Sequence, residues 1–197
     1  MVISILPEFI RQKYEIHEWK HASAVLSSDF PNEWEDIIWV LTEYRLKKSE
    51  ILAPGGGMSL LSRWFNHAFK SRGWVEKSFD TLIVVDKQEI ESPTHKVDCV
   101  KNRIALEIEW NNKDPFFDRD LNNFRLLFDL RAISAGVIIT KADELSTIFK
   151  GLGKEIWDKY GWSTTWMGKL LPRIEGGGGG GCPILVFGIT KKLYVED

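Results

Sequence analysis

From Arg103 to Trp110 the chain alternates, with Ile104, Leu106, Ile108 and Trp110 apolar and Ala105, Glu107 and Glu109 between them. A period of two predicts a β-strand. Side chains two apart share a strand face, so both glutamates project the same way. Lys96–Val100 predicts a second strand just upstream, and the polar Lys101-Asn102 break suits a hairpin turn. Such a hairpin carries Asp98 alongside the two glutamates.

Elsewhere the spacing of apolar residues changes to three and four. Pro31 opens a helix with Trp34, Ile37, Ile38, Leu41 and Tyr44 on one stripe and Glu33, Glu35 and Glu43 around it. A second helix is predicted over about 58–72, with Leu60, Leu61, Trp64, Phe65, Ala68 and Phe69 on one side. Arg63, Asn66, His67, Lys70 and Arg72 lie on its other side, a face that is either solvated or turned to phosphates. A third helix is predicted over 116–133, directing Phe117, Leu121, Phe124, Leu127, Phe128 and Leu130 to the core and Asp118, Asn122, Arg125 and Asp129 outward. A fourth covers about 142–160.

Further strands are predicted at Tyr14–Trp19 (an edge), Thr81–Val85, Ala135–Thr140 and Pro183–Ile189. The Ala135–Thr140 strand is expected to run parallel to the Glu107 strand, because a helix crosses over between them. Ala53–Gly57 reads as a loop without the Lys-Ser/Thr of a phosphate-binding loop. A loop is expected from Trp162 to Gly181, ending in six consecutive glycines that by themselves favour a mobile segment.

Composition bounds the rest. With 197 residues, 44% of them apolar, the chain suits a single domain over 1–197 with a sizeable core. Nine Trp and eleven Phe supply core anchors and a few surface contacts. The net charge of −2 argues against a general basic coat for nucleic acid, but not against an enzyme that concentrates acids at one site. Cys99 and Cys182 have no zinc-like spacing, which fits a reducing compartment. Met1–Leu6 is apolar but is followed at once by Pro7 and Glu8, and does not read as a signal peptide. No apolar run approaches the roughly 18 residues of a membrane span. The expectation is a cytoplasmic protein.

Asp98, Glu107 and Glu109 gathered beside apolar strands would repel one another and lose hydration. A hard divalent cation such as Mg²⁺ offsets that cost through oxygen ligands. The other reading places Glu107 and Glu109 on the solvated face of an ordinary strand, with Asp98 a turn residue. Two features favour a site: glutamate is a poor strand former, and the polar Asn111-Asn112-Lys113-Asp114 follows directly, ahead of a long helix.

The order helix, three strands, helix, strand resembles the core of the PD-(D/E)XK nucleases. The usual motif there ends in E-x-K, whereas this chain has Glu107-Ile108-Glu109, the E-x-E form of BamHI-type enzymes. Val97–Trp110, and Val100–Glu107 in particular, is similar to the hairpin of the BglII/BstYI-like type II restriction endonucleases. Ile51–Gly73, ending in Lys70-Ser71-Arg72-Gly73-Trp74, and the glycine-rich approach to Pro183–Ile189 extend the likeness. Only the hairpin is specific, and Glu109 replaces the glutamine found in that group.

The resemblance implies an α/β fold with a central mixed sheet flanked by helices. It implies Mg²⁺-dependent hydrolysis of double-stranded DNA at a short palindrome by a homodimer, within a restriction system that includes a cognate DNA methyltransferase, and no membrane. By residue, Asp98 would be the central metal ligand, Glu107 the second and the main-chain carbonyl of Ile108 the third. Glu109 would orient or deprotonate the attacking water, and Glu35 or Glu43 could add a supporting carboxylate. Expected DNA contacts are Asn111, Asn112, Lys113, Arg119, Asn122 and Arg125, with Lys169 and Arg173 on the loop after Trp162. Two rival readings are a repair or structure-specific nuclease of the same fold, and a non-catalytic metal- or DNA-binding module.

Overall fold

The computed structural model describes residues 5–55, 57–91 and 94–197. Met1–Ser4 of the apolar N-terminal run and Gly56 of the predicted loop lie outside the described residues. The first part of the chain runs α1 (Glu8–Lys13), β1 (Tyr14–Trp19), α2 (Ala22–Asp29), α3 (Pro31–Glu43), β2 (Leu46–Lys47), α4 (Lys48–Leu52) and α5 (Leu60–Ser71). Next come β3 (Val75–Lys77), β4 (Leu82–Val85), β5 (Gln88–Glu91), β6 (Val97–Lys101) and β7 (Ile104–Ile108). The remainder is α6 (Pro115–Asp129), β8 (Ala135–Lys141), α7 (Leu145–Gly151), α8 (Lys154–Tyr160), α9 (Met167–Glu175), β9 (Ile184–Ile189) and β10 (Tyr194–Val195).

Six of the described strands form one mixed sheet in the order β1-β9-β8-β7-β6-β3. Its centre, β7-β8-β9, is parallel, and both flanks are antiparallel. That centre is wholly buried, which explains the unbroken apolar run in β8. Leu106, Ile108, Val137, Ile139, Leu185 and Phe187 point to one layer, with Ile37, Val40, Leu61, Phe65 and Phe69 of α3 and α5. Ala105, Ile138, Ile184 and Val186 point to the other, against Phe117, Leu121 and Phe124 of α6 and Leu170 of α9. Helices therefore cover both faces, as the resemblance implies, and β1 is an edge strand.

Local chemistry sets the ends of these helices. Pro31 and Pro115 stand at the starts of α3 and α6, where a missing N–H leaves no bond unmade. Ser59 caps α5 by accepting from the Ser62 N–H at 3.0 Å. Gly73, at φ +84°, turns the chain out of α5 while Trp74 N–H donates to Phe69 O at 3.1 Å.

The structure corrects the sequence reading in several places. The helix expected over 142–160 is two, α7 and α8, because Gly153 adopts φ +114° between them. The Thr81–Val85 strand exists as β4, but it pairs with β5 in a separate exposed hairpin, and β3 takes the place beside β6. The helix expected to 133 ends at Asp129, leaving Leu130 46% exposed rather than in the core and Arg131 at φ +60°. Leu60 of α5 is also exposed.

The stretch after Trp162 is not a loop throughout, since it contains α9. The six glycines close it in a hydrogen-bonded turn: Gly178 N–H donates to Arg173 O and Gly180 N–H to Gly177 O, both at 2.9 Å. Gly177 and Gly180 have φ +88° and +57°, and a Cβ on buried Gly179 would lie 2.4 Å from Ile184 Cδ1. These residues are glycine because the turn and the close approach to β9 exclude side chains.

Candidate metal centre

The β6–β7 hairpin builds the site. Asn102 adopts φ +52°, which asparagine tolerates, and Lys101 pairs with Ile104 to close the turn. The tip is fastened from outside: buried Asp36 of α3 accepts from Lys101 Nζ at 2.7 Å, Arg72 Nη1 at 2.9 Å and Trp74 Nε1 at 3.0 Å. Burial alone would push the Asp36 carboxyl up, but these donors outweigh it and hold it below its ordinary value. Glu35 and Glu43, expected as supporting carboxylates, lie exposed on α3, and of the two buried acids of that helix, Glu33 and Asp36, it is Asp36 that serves the hairpin tip.

At the other end of the hairpin the register of β6 shifts. Between Val75 and Lys77, two steps on β3, the partner strand advances three, from Val100 to Val97. A bulge of this kind re-aims side chains, and it falls in the Val97–Val100 stretch that carries Asp98. The Asp98 N–H donates to Glu107 Oε2 at 3.3 Å, while Asp98 Oδ2 accepts from the Ile108 N–H at 3.0 Å. Asp98 is half-buried and lines a cleft beneath α5.

Glu107 and Glu109 are each 1% exposed and sit on the α6 side of β7. Glu107 Oε1 lies 3.3 Å from His95 Nε2, which is 3.2 Å from Asp120 Oδ1. Arg119 donates to the same Asp120 oxygen at 2.9 and 3.1 Å, and its Nη2 is 3.8 Å from Glu109 Oε1. The Asn112 amide donates to both Glu109 oxygens, at 3.0 and 3.1 Å. Asp98 and Glu107 are thus neighbours, Glu109 is held instead by Asn112 and Arg119, and the tightest group of possible ligands among the described residues is His95, Glu107 and Asp120, with ligand atoms all within 4.8 Å of one another.

The electrostatics follow from burial. Glu107 is pushed up to about 8 by loss of water and by Asp120 and Asp98, against the contact with His95. Glu109 is pushed up to about 10, first by burial and then by Asp120. Burial raises Asp98 as well, opposed by the Ile108 N–H. For His95, burial acts downward, but its contacts with Asp120 and Glu107 carry it up to about 9. Acids held this far above their ordinary range are only partly compensated by His95 and Arg119. Asp120 Oδ2 is buried without a hydrogen-bond partner. This residue set fits a divalent cation, and oxygen donors dominate it.

Sequence reasoning did not find His95 or Asp120. Asp120 had a signal: it falls on the buried face of α6, between Phe117, Leu121 and Phe124, where an acid needs a partner. His95 sits in the irregular approach to β6 and had none. Lys141, at the end of β8, was also missed. Its Nζ is fully buried, donates to Trp110 O and to Thr164 Oγ1, the latter at 3.0 Å, and lies 4.8 Å from the Trp166 ring centre. Burial pushes its ammonium well below the ordinary value. It pins the chain just past Glu109.

The expected DNA contacts divide. Asn111 and Asn112 line the cleft with Asp98, and Lys113 is exposed nearby. Arg119 is engaged by Asp120, and Asn122 is exposed on α6. Arg125 packs its stem over Gly180. Lys169 and Arg173 lie on α9, paired with Asp114 at 3.3 and 3.7 Å, and Arg173 also meets Asp118 at 2.9 Å.

No helix among the described residues is long and apolar enough to cross a membrane. The family model described as restriction endonuclease BglII/BglIII matches residues 14–189. No curated protein matches the chain.

Proposed function

Because the chain belongs to the BglII/BglIII restriction endonuclease family, a family of type II site-specific DNA hydrolases, we propose that it cuts double-stranded DNA at a short palindrome with Mg²⁺ as cofactor. It acts in the cytoplasm as a homodimer of single-domain chains, within a restriction system whose genetic partner is a DNA methyltransferase. The observation that carries the assignment of residues is the linked pair Asp98 and Glu107, joined through backbone N–H groups, with Asp98 lining the cleft and Glu107 buried behind it.

In this reading Asp98, Glu107 and the Ile108 carbonyl hold the cation. When bound, it supplies Lewis acidity toward the phosphodiester and lowers the pKa of water. The chain's own part is positioning. The bulge within Val97–Val100 and the Ile108 N–H fix the Asp98 carboxylate, and Glu107 is fixed by its place on a buried central strand. Glu109 orients the attacking water and accepts its proton, held for that task by Asn112. Glu109 must first lose its own proton, and positive charge beside Glu107 favours that loss. Arg119 and His95 offset part of the negative charge that the Lys of the commoner motif would offset in place.

A two-fold protein matches the symmetry of a palindrome and supplies one site per strand. The direct test is incubation of plasmid and genomic DNA with the protein in Mg²⁺, in Mn²⁺ and in chelator. Discrete bands that require the metal, followed by mapping of the cut ends, are the expected result. Intact plasmid under all metal conditions would overturn the reading.

A further inference from the structure

The cations first expected to meet DNA, on α6 and α9, are largely engaged with acids: Arg119 with Asp120, Lys169 with Asp114, and Arg173 with Asp114 and Asp118. The cleft that reaches Asp98 is bordered instead by α5. A cavity of about 450 Å³ there is lined by Arg63, Asn66, Lys70, Trp74, Asp98 and Cys99, among others. A second, of about 310 Å³, continues from it past Ser59, Ser62 and Asn66 to Asp98, Ile108 and Asn112. Asp98 and Asn66 line both.

Two features of α5 set it apart. The helix contains no acidic residue. Arg63 and Lys70 are exposed, and among the described residues neither forms an ion pair; Arg63 donates only to the Met58 carbonyl, at 3.2 Å. Glu76, the other acid on this cavity, is neutralised by Lys96 at 2.6 Å. Arg63 and Lys70 are seven residues apart, two turns, so they project to one side at about 10 Å along the helix. Asn66 lies between them, turned to the cleft floor.

We infer that α5 is the track for the strand being cut, with Arg63 and Lys70 holding phosphates on either side of the one presented to Asp98. This rests on the nuclease reading above and specifies how that site takes its substrate. Phosphate contacts of this kind fix register and orientation without reading bases. Each neutralised phosphate releases condensed counterions, so each contact contributes about 0.9 to the slope of log affinity against log salt on duplex DNA.

The experiment is fluorescence polarisation with a labelled mixed-sequence duplex, in Ca²⁺, across a series of salt concentrations. Arg63→Gln and Lys70→Gln are each expected to lower the slope by about 0.9, and the double variant by about 1.8. Lys154→Gln, an exposed change on α8 away from the cleft, should leave the slope unaltered. Melting curves equal to wild type confirm that the variants are folded. If wild type binds duplex and cuts plasmid while the α5 variants keep its slope, the track is wrong and the nuclease reading stands. If wild type neither binds duplex nor cuts plasmid, both fall together.

Discussion

Asp98 and Glu107 face each other across the β6–β7 hairpin through reciprocal backbone contacts. The Asp98 N–H donates to the Glu107 carboxylate at 3.3 Å, and the N–H following Glu107, that of Ile108, donates to the Asp98 carboxylate at 3.0 Å. Each acid is therefore oriented by the main chain of the other's strand. The hairpin, fastened at its tip through Lys101 and Asp36, transmits that spacing to the cleft.

Removing either acid is expected to stop cleavage and to leave duplex binding in place. Loss of a supporting partner of a ligand typically lowers metal affinity or activity 10- to 100-fold, so Asp98→Asn and Glu107→Gln should each lower cleavage by more than about 100-fold. Glu107→Gln should melt no lower than wild type in chelator at neutral pH, since a carboxyl pushed up to about 8 is already protonated there. Near wild-type cleavage by either variant in Mg²⁺ would remove these residues from the metal site.

Stability without metal should fall as pH rises. Glu107 goes from 4.5 to about 8 on folding, Glu109 from 4.5 to about 10 and His95 from 6.5 to about 9. All three hold protons more tightly in the folded chain. Their contribution is complete below the unfolded values and is lost as pH climbs through the folded ones. The melting temperature in chelator is expected to decline between about pH 4.5 and pH 10. Because binding a cation displaces those protons, Mg²⁺ should raise the melting temperature more at pH 9 than at pH 6. A metal-free melting temperature that rises across this window would contradict the electrostatics of the cluster.

Glu109→Lys is expected to be inactive. The new ammonium would be buried at a position where Arg119 already approaches within 3.8 Å of the carboxylate, and it would oppose cation binding. A destabilisation of roughly 3–5 kcal/mol accompanies an uncompensated buried charge. Glu109→Gln keeps the volume and a contact to Asn112, and should bind DNA with at most partial cleavage. Titrating Mg²⁺ against cleavage rate for all three proteins tests this. An active Lys variant with an unchanged metal requirement would show that Glu109 only lines the strand.

Gly136 on β8 lies directly under α6, where an added Cβ would be 2.4 Å from Phe124 Cδ2. Gly136→Ala should overpack that contact at a cost of about 1–3 kcal/mol. A chain of this length loses about 2–4 °C of melting temperature per kcal/mol. Displacing α6 also moves Asp120 and Arg119, so cleavage should fall along with stability. Calorimetry showing an unchanged melting temperature would indicate that the β8–α6 contact is looser than the geometry states.

Much of this protein follows from local pattern. The alternation at Ile104–Trp110, the apolar run of β8 and the three-and-four spacing in α3, α5 and α6 are set by which face each residue must bury. They place Asp98 beside Glu107 with no knowledge of distant contacts, because a short hairpin register is a local property. Other features depend on partners far along the chain. Thr81–Val85 has strand chemistry, yet whether it joined the main sheet depended on Val75–Lys77 occupying that edge. The six glycines favour disorder in isolation, and only the approach of Ile184, Arg125 and Phe128 makes them a defined turn. His95 and Asp120 are twenty-five residues apart by number and meet at 3.2 Å because α6 packs across β7. The strand that carries Glu107 was legible because its signal is periodic. The residues that close the site around it were not, since charge pairing across layers leaves no period in the sequence.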